Sequence, residues 1–246
     1  MTFERGIFAE GQVILRNTVP YAALAVVGEY AIQVIKETTD IDAGMTVASI
    51  VVWSFLAYAA HAEILLPSDR DKSKDAQRTI GFALRTFGLL LIVLVPVFVV
   101  AGYIRTVLPS DSADDQMLFV LVALAMPVLG ILWLLVFGLL GTILPAFVAD
   151  RGRGLGAAFS RGRRQFFWIF GRLLVMPGLV FLFSLIVFVA PLFVFGSEGD
   201  FLGEDYVPDP VASVPALIAY AIQTYAVVLT AVVLSRGFLR DENRPA

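Results

Sequence analysis

Two carboxylates, one histidine, two amides and two guanidiniums lie inside apolar runs of this chain. Such groups are costly in a hydrocarbon core and are functional candidates there by default. Glu29 sits past the middle of the first apolar run, and Gln33 follows one helical turn later on the same face. A carboxylate and an amide so placed make either a proton or cation site or a hydrogen-bonded pair that fixes helix packing. Gln223, Thr224 and Tyr225 in the last run are candidate partners at similar depth. Glu63, near the end of the second run, and Arg85, near the start of the third, fall at comparable depth. Their charges suggest an ion pair registering the two helices across the intervening loop.

His61 is the single histidine, and the chain has no cysteine. Ala57 lies four residues before it and Leu65 four after, the Ala-x-x-x-His-x-x-x-Leu spacing of single-span light-harvesting polypeptides. In that pattern the imidazole ligates a tetrapyrrole metal and the small residue admits the macrocycle. The other reading is a structural, hydrogen-bonded histidine near the membrane interface. His61-Ala62-Glu63 also spells His-x-Glu. A zinc deaminase would need a Pro-Cys-x-x-Cys besides, and helical residues two apart point about 200° from each other. With one His and no Cys, two-His haem sites, disulfides, thiolate metal sites and Cys nucleophiles are excluded. There is no Gly-x-Ser-x-Gly motif. The chemistry on offer is therefore that of a non-enzymatic protein needing no cofactor, apart from the tetrapyrrole alternative at His61.

The residues 150–165, DRGRGLGAAFSRGRRQ, form the most distinctive polar segment. Gly152, Gly154 and Gly156 resemble a phosphate loop, but no Lys-Ser/Thr follows and no strand precedes. Phe159, Gly162 and Phe166 share a helical face, which describes a short basic interfacial helix over 153–165. Arg151, Arg153, Arg161, Arg163 and Arg164 would then face anionic lipid headgroups, and Arg172 would snorkel to them or pair within the next span. A segment held at the membrane disfavours nucleic acid as a partner.

What must position these groups follows from composition. The chain has 246 residues, 59% of them apolar and 16% charged, with a mean hydropathy of +0.84. Soluble domains are nearer 45–50% apolar and about 25% charged. Six apolar runs stand out, at roughly 19–35, 45–66, 80–104, 117–149, 166–195 and 212–235. A helix of about 20 residues crosses a hydrocarbon core of about 30 Å, and in lipid the backbone must satisfy its own hydrogen bonds. The reading is all-α: a polytopic bundle of six transmembrane helices forming one domain over 1–246. The run 117–149 would be ~50 Å as one helix, so it should break, with Pro127 and Pro145 as break points. Pro96 and Pro177 should kink their spans.

Residues 1–18 carry Glu4, Arg5, Glu10 and Arg16 and do not read as a cleavable signal peptide. Phe3, Ile7, Phe8, Gly11, Ile14 and Leu15 share one helical face, so an N-terminal interfacial helix is expected before Pro20 opens the first span. Small residues at Gly44/Ala48 and Gly138/Thr142 should allow close helix approach.

Charge partition gives the orientation. Every Lys and Arg except Lys36 and Arg105 falls in the segments that share a side with the termini or, as Arg85 and Arg172 do, just inside a span that begins on that side. The opposite side holds acids, most clearly Glu198, Asp200, Glu204, Asp205 and Asp209 in a segment with no Lys or Arg. The positive-inside rule makes the basic side cytoplasmic, with both termini inside. Arg far outnumbers Lys, which fits a GC-rich bacterial genome and an inner-membrane location.

This order of features resembles a broad group of uncharacterised bacterial six-helix membrane proteins of the YciC type, related to the membrane domain fused to some glycerophosphodiester phosphodiesterases. The residues that carry the resemblance are the amphipathic N-terminus and Leu144, Pro145 and Val148 at the end of span four. They are joined by the Gly/Ala-rich turn Gly154 to Phe159 and by Arg163, Phe166, Trp168 and Arg172 at the entry to span five. The resemblance implies architecture and no catalytic residues. The function expected is that of an accessory, scaffold or lipid-contacting subunit, with membrane lipids and other integral membrane proteins as partners. The alternatives are a small transporter or lipid-handling protein using Glu29, Gln33 and Gln223, and a pigment-associated subunit using His61.

Overall fold

The computed structural model describes residues 6–39, 41–66, 75–107, 115–195, 202 and 208–243. They are helical almost throughout: α1 Ile7–Asn17, α2 Val19–Thr38, α3 Asp42–Leu65, α4 Asp75–Val107, α5 Asp115–Leu140, α6 Ile143–Val148, α7 Leu155–Val175, α8 Pro177–Phe195 and α9 Pro210–Glu242. Among the described residues there is no strand, only a lone antiparallel bridge between Leu202 and Pro208. Among the described residues four helical stretches are long and apolar enough to cross a membrane: Gly44–Leu65, Gln77–Pro96, Leu155–Ala190 and Pro210–Glu242. The α1–α2 pair meets the same test taken together but is bent by 80°.

α9 is the axis of the bundle. It touches α1, α2, α3, α6, α7 and α8. Its inner turns are built from small residues, among them Ala226, Ala231, Ser235 and Gly237, all buried. A helix that is apolar on all sides belongs inside a bundle, and small side chains let neighbouring backbones close on it. Its start is set by Pro210 in the first turn and by Asp209, whose carboxylate accepts the Val211 N–H at 3.0 Å.

Prolines decide where the long apolar runs break. Position 145 has no N–H to bond the Gly141 carbonyl one turn back, and a proline ring crowds that carbonyl. The helix accordingly breaks at Gly141–Thr142, where α5 ends and α6 begins. The expected break at Pro145 is thus displaced by one turn, and α5 continues through position 127. At Pro177, where a kink is expected, α7 ends with Met176 as its C-cap and α8 begins. α4 runs unbroken past Pro96.

The basic segment before the fifth run differs from expectation. It is not a separate interfacial helix over 153–165, because α7 runs from Leu155 to Val175 without interruption. No proline lies between Leu155 and Pro177, so no helix breaker stands at 165. The expected inner face is also rotated: Ala158, Arg161, Gly162, Gln165, Ile169 and Leu173 are buried, and Phe159 is exposed. On α1 the buried face is Ile7, Gly11 and Ile14, with Phe8 and Val13 outward; Phe3 lies outside the described residues.

Close approaches occur at other small residues than the sequence suggests. An added methyl at Gly162 would collide with the Leu139 carbonyl, and one at Gly11 would come within 2.8 Å of Leu229 Cδ2. Gly138 does seat Phe166 of α7, whereas Gly44 faces only Ile41 of its own segment.

Candidate functional site

Glu29 is 6% exposed. Its carboxylate receives three hydrogen bonds. Oε1 accepts from Gln33 Nε2 at 2.9 Å; Oε2 accepts from Ser49 Oγ at 2.6 Å and from Trp53 Nε1 at 3.0 Å. The expected Glu29–Gln33 pair forms, but its partners come from α3 rather than from Gln223, Thr224 and Tyr225 of α9. Ser49 and Trp53 are one turn apart, so both donors reach the same oxygen. Gly28 lets α3 approach, its would-be methyl lying 3.1 Å from Val52 Cγ1. Gln223 is half-buried on α9, and Thr224 spends its hydroxyl on the Ala221 carbonyl at 2.6 Å. An indole N–H only donates, and a buried carboxylate with three donors is a satisfied acceptor. The geometry makes Glu29 the tie between α2 and α3.

His61 is 1% exposed, its Nδ1 lies 2.7 Å from Ser235 Oγ, and its ring packs on Phe82 with centroids 5.6 Å apart. Tyr58, one turn earlier, meets the edge of the same Phe82 at 5.9 Å and donates its hydroxyl to Asp75 Oδ1 at 3.1 Å. The end of α3 is thereby fastened to α9 through Ser235 and to α4 through Phe82 and Asp75. A tetrapyrrole needs an open flat space beside the imidazole; here α4 and α9 fill it, so these residues do not fit that group.

The expected Glu63–Arg85 pair does not form. Glu63 points outward and accepts from Asn17 Nδ2 at 2.8 Å, while Arg85 donates to the Gly81 carbonyl at 2.8 Å and lies 3.9 Å from the Phe147 ring centroid. The two side chains sit on different faces of the α3–α4 pair, one toward α1 and one toward α6.

The arginines of the basic end are fixed mostly within the protein. Arg164 makes a two-pronged bond to Asp241, Nε to Oδ1 at 2.9 Å and Nη2 to Oδ2 at 2.6 Å. Arg151 pairs with Glu242 at 3.1 Å, Arg153 with Asp150, and Arg236 with Glu10. Arg172 stacks on Trp168 at 4.2 Å. Arg163 is exposed. Arg161 is 7% exposed and does not face headgroups; it donates to the Gly152 carbonyl at 3.0 Å and lies over Phe238. Gly152 has φ +55, a left-handed conformation that favours glycine, and it lies against the Arg161 guanidinium.

The partners that the sequence reading missed are Ser49, Trp53, Phe82, Ser235 and Asp241. Two signals were present: the i, i+4 spacing of Ser49 and Trp53, and an acidic pair, Asp241 and Glu242, in an Arg-rich tail. Among the described residues no three His, Cys, Asp or Glu converge as metal ligands. Comparison of the chain with known families, curated proteins and solved structures returned no match.

Proposed function

We propose that this chain is a non-enzymatic, multi-pass protein of the bacterial inner membrane that acts as a lipid-contacting scaffold or accessory subunit. The observation that carries the reading is a division of labour. The buried polar groups Glu29 and His61 are committed to neighbouring helices, while large apolar side chains face outward. Phe167 is 89% exposed, Val194 74% and Leu84 66%. Apolar surface of this extent marks contact with lipid or with another protein.

The proposed topology has six crossings, built on α2, α3, α4, α5, α7 with α8, and α9. Both termini lie on the arginine-rich, cytoplasmic side. The 80° bend at Thr18 supports it: with α2 crossing, α1 lies near the membrane plane. The YciC-type resemblance agrees with the same architecture. Partners are membrane lipids and other integral membrane proteins.

Because the chain has no cysteine, single replacements report topology directly. Ser112→Cys and Ser197→Cys should react with an impermeant maleimide in intact cells. Ser73→Cys and Ser160→Cys should react only after permeabilisation. Equal labelling of Ser73→Cys and Ser112→Cys from outside overturns the topology. The subunit role predicts that a lipid or another membrane protein stays bound in mild detergent; native mass spectrometry showing a bare monomer overturns it.

A further inference from the structure

The end of α3, the first turns of α4, α6 and the α6–α7 connection border an open pocket of about 250 Å³. Tyr58, Gln77, Arg78, Phe147, Asp150 and Arg153 line it. Phe147 forms one wall and is approached by two guanidiniums, Arg85 at 3.9 Å and Arg153 at 5.4 Å from its centroid. The acids nearby are already engaged, since Asp150 pairs with Arg153 and buried Asp75 takes the Tyr58 hydroxyl. Among the described residues neither Arg78 nor Arg85 has a carboxylate partner. The lining carries two guanidiniums, Arg78 and Arg153, against the single carboxylate of Asp150, and Arg85 stands behind Phe147, so the opening keeps a net positive charge that an anion offsets. Gln77 adds an amide donor, and the start of α4 adds the partial positive charge of a helix N-terminus. The volume falls below the about 300–1,000 Å³ of cofactor and drug-sized sites, so a small anionic group suits it.

We propose that this pocket binds a phosphate group, with Arg78 and Arg153 as guanidinium donors, Gln77 as amide donor and Phe147 under Arg85 as the wall. Guanidinium forks match phosphate oxygens in geometry as well as in charge. The phosphate comes from either an anionic lipid headgroup or a free phosphate. The lipid source rests on the reading above that this arginine-rich end lies at the membrane surface.

The test uses the full chain in mild detergent, titrated by native mass spectrometry. The probes are phosphatidylglycerol, a phosphate-free galactolipid with the same acyl chains, and inorganic phosphate. The wild type should retain phosphatidylglycerol over the galactolipid. R78Q/R153Q should bind it about tenfold more weakly, and Lys36→Gln, near the end of α2 and remote from the pocket, should match the wild type. Gln77→Glu is the second variant: it puts a negative charge in the pocket at an exposed first-turn position, where an acid favours the helix, and should also weaken binding while folding normally. Binding of inorganic phosphate by wild type but not by R78Q/R153Q, without retention of the lipid, supports the pocket and assigns the free source. Equal phosphatidylglycerol binding by wild type, R78Q/R153Q and Gln77→Glu overturns the pocket and leaves general lipid contact standing. Binding of neither phosphate probe by the wild type also overturns the pocket, while cysteine labelling judges the membrane topology separately.

Discussion

The Ser49 hydroxyl lies 2.6 Å from Oε2 of Glu29, and Trp53 Nε1 lies 3.0 Å from the same oxygen. One buried carboxylate thus gathers donors from two turns of a neighbouring helix. Replacing it leaves those donors without an acceptor, and the cost is that of unsatisfied buried polar groups rather than of one average hydrogen bond. Glu29→Ala should destabilise the protein by about 2–3 kcal/mol and Glu29→Gln by less, because an amide oxygen still accepts. Denaturant unfolding in detergent, followed by Trp fluorescence, measures both. A Glu29→Ala variant as stable as the wild type would falsify this role.

His61 and Ser235 join α3 to α9 in a fully packed layer with Phe82. Ser235→Ala should cost about 1 kcal/mol, the net worth of one hydrogen bond. His61→Ala should cost about 2–4 kcal/mol, because a cavity is left as well. The gently purified protein should show no visible absorption band. A visible band lost in His61→Ala would mean that the enclosed ring opens to a pigment, contrary to this account.

Arg164 and Asp241 tie α7 to the end of α9 by a two-pronged bond. Arg164 has 47% of its side chain exposed, so solvent screens the pair. Asp241→Asn should cost no more than about 1 kcal/mol, and the difference from wild type should shrink in 1 M salt, where screening acts over about 3 Å. A loss that ignores salt would show that the contact is steric rather than electrostatic.

Gly162 of α7 sits where an added methyl would collide with the Leu139 carbonyl of α5, whereas Gly154 has open space. Gly162→Ala should therefore force the two helices apart and cost about 1–3 kcal/mol. Gly154→Ala, at the N-cap of α7 with φ −75, should be near neutral, because the more restricted unfolded chain offsets the poorer cap. Thermal unfolding of the two variants side by side checks the contrast; equal shifts would contradict it.

Several elements were readable from residue order alone because their causes are local. Pro177 ends α7 since a proline lacks the N–H that the next turn requires. Thr18 and Pro20 mark the bend into α2 for similar reasons. The break before α6 was placed a turn late, at Pro145, although the disruption falls on the carbonyl four residues earlier. The basic residues of 153–165 suggest a helix of their own, but no proline lies between Leu155 and Pro177, and α7 runs through.

The sequence by itself determined the apolar helices, their polar ends, the absence of thiol chemistry and the positions of the costly groups Glu29, His61 and Glu63. Spacing along one chain fixes those things, since helical periodicity and desolvation cost act residue by residue. Only the tertiary structure decided partners: Ser49 and Trp53 for Glu29, Ser235 for His61, Asn17 rather than Arg85 for Glu63, and the inward turn of Arg161. Two side chains at equal depth meet only when their helices present facing sides. The rotation of each helix is set by where glycines such as Gly11, Gly28 and Gly162 let backbones close.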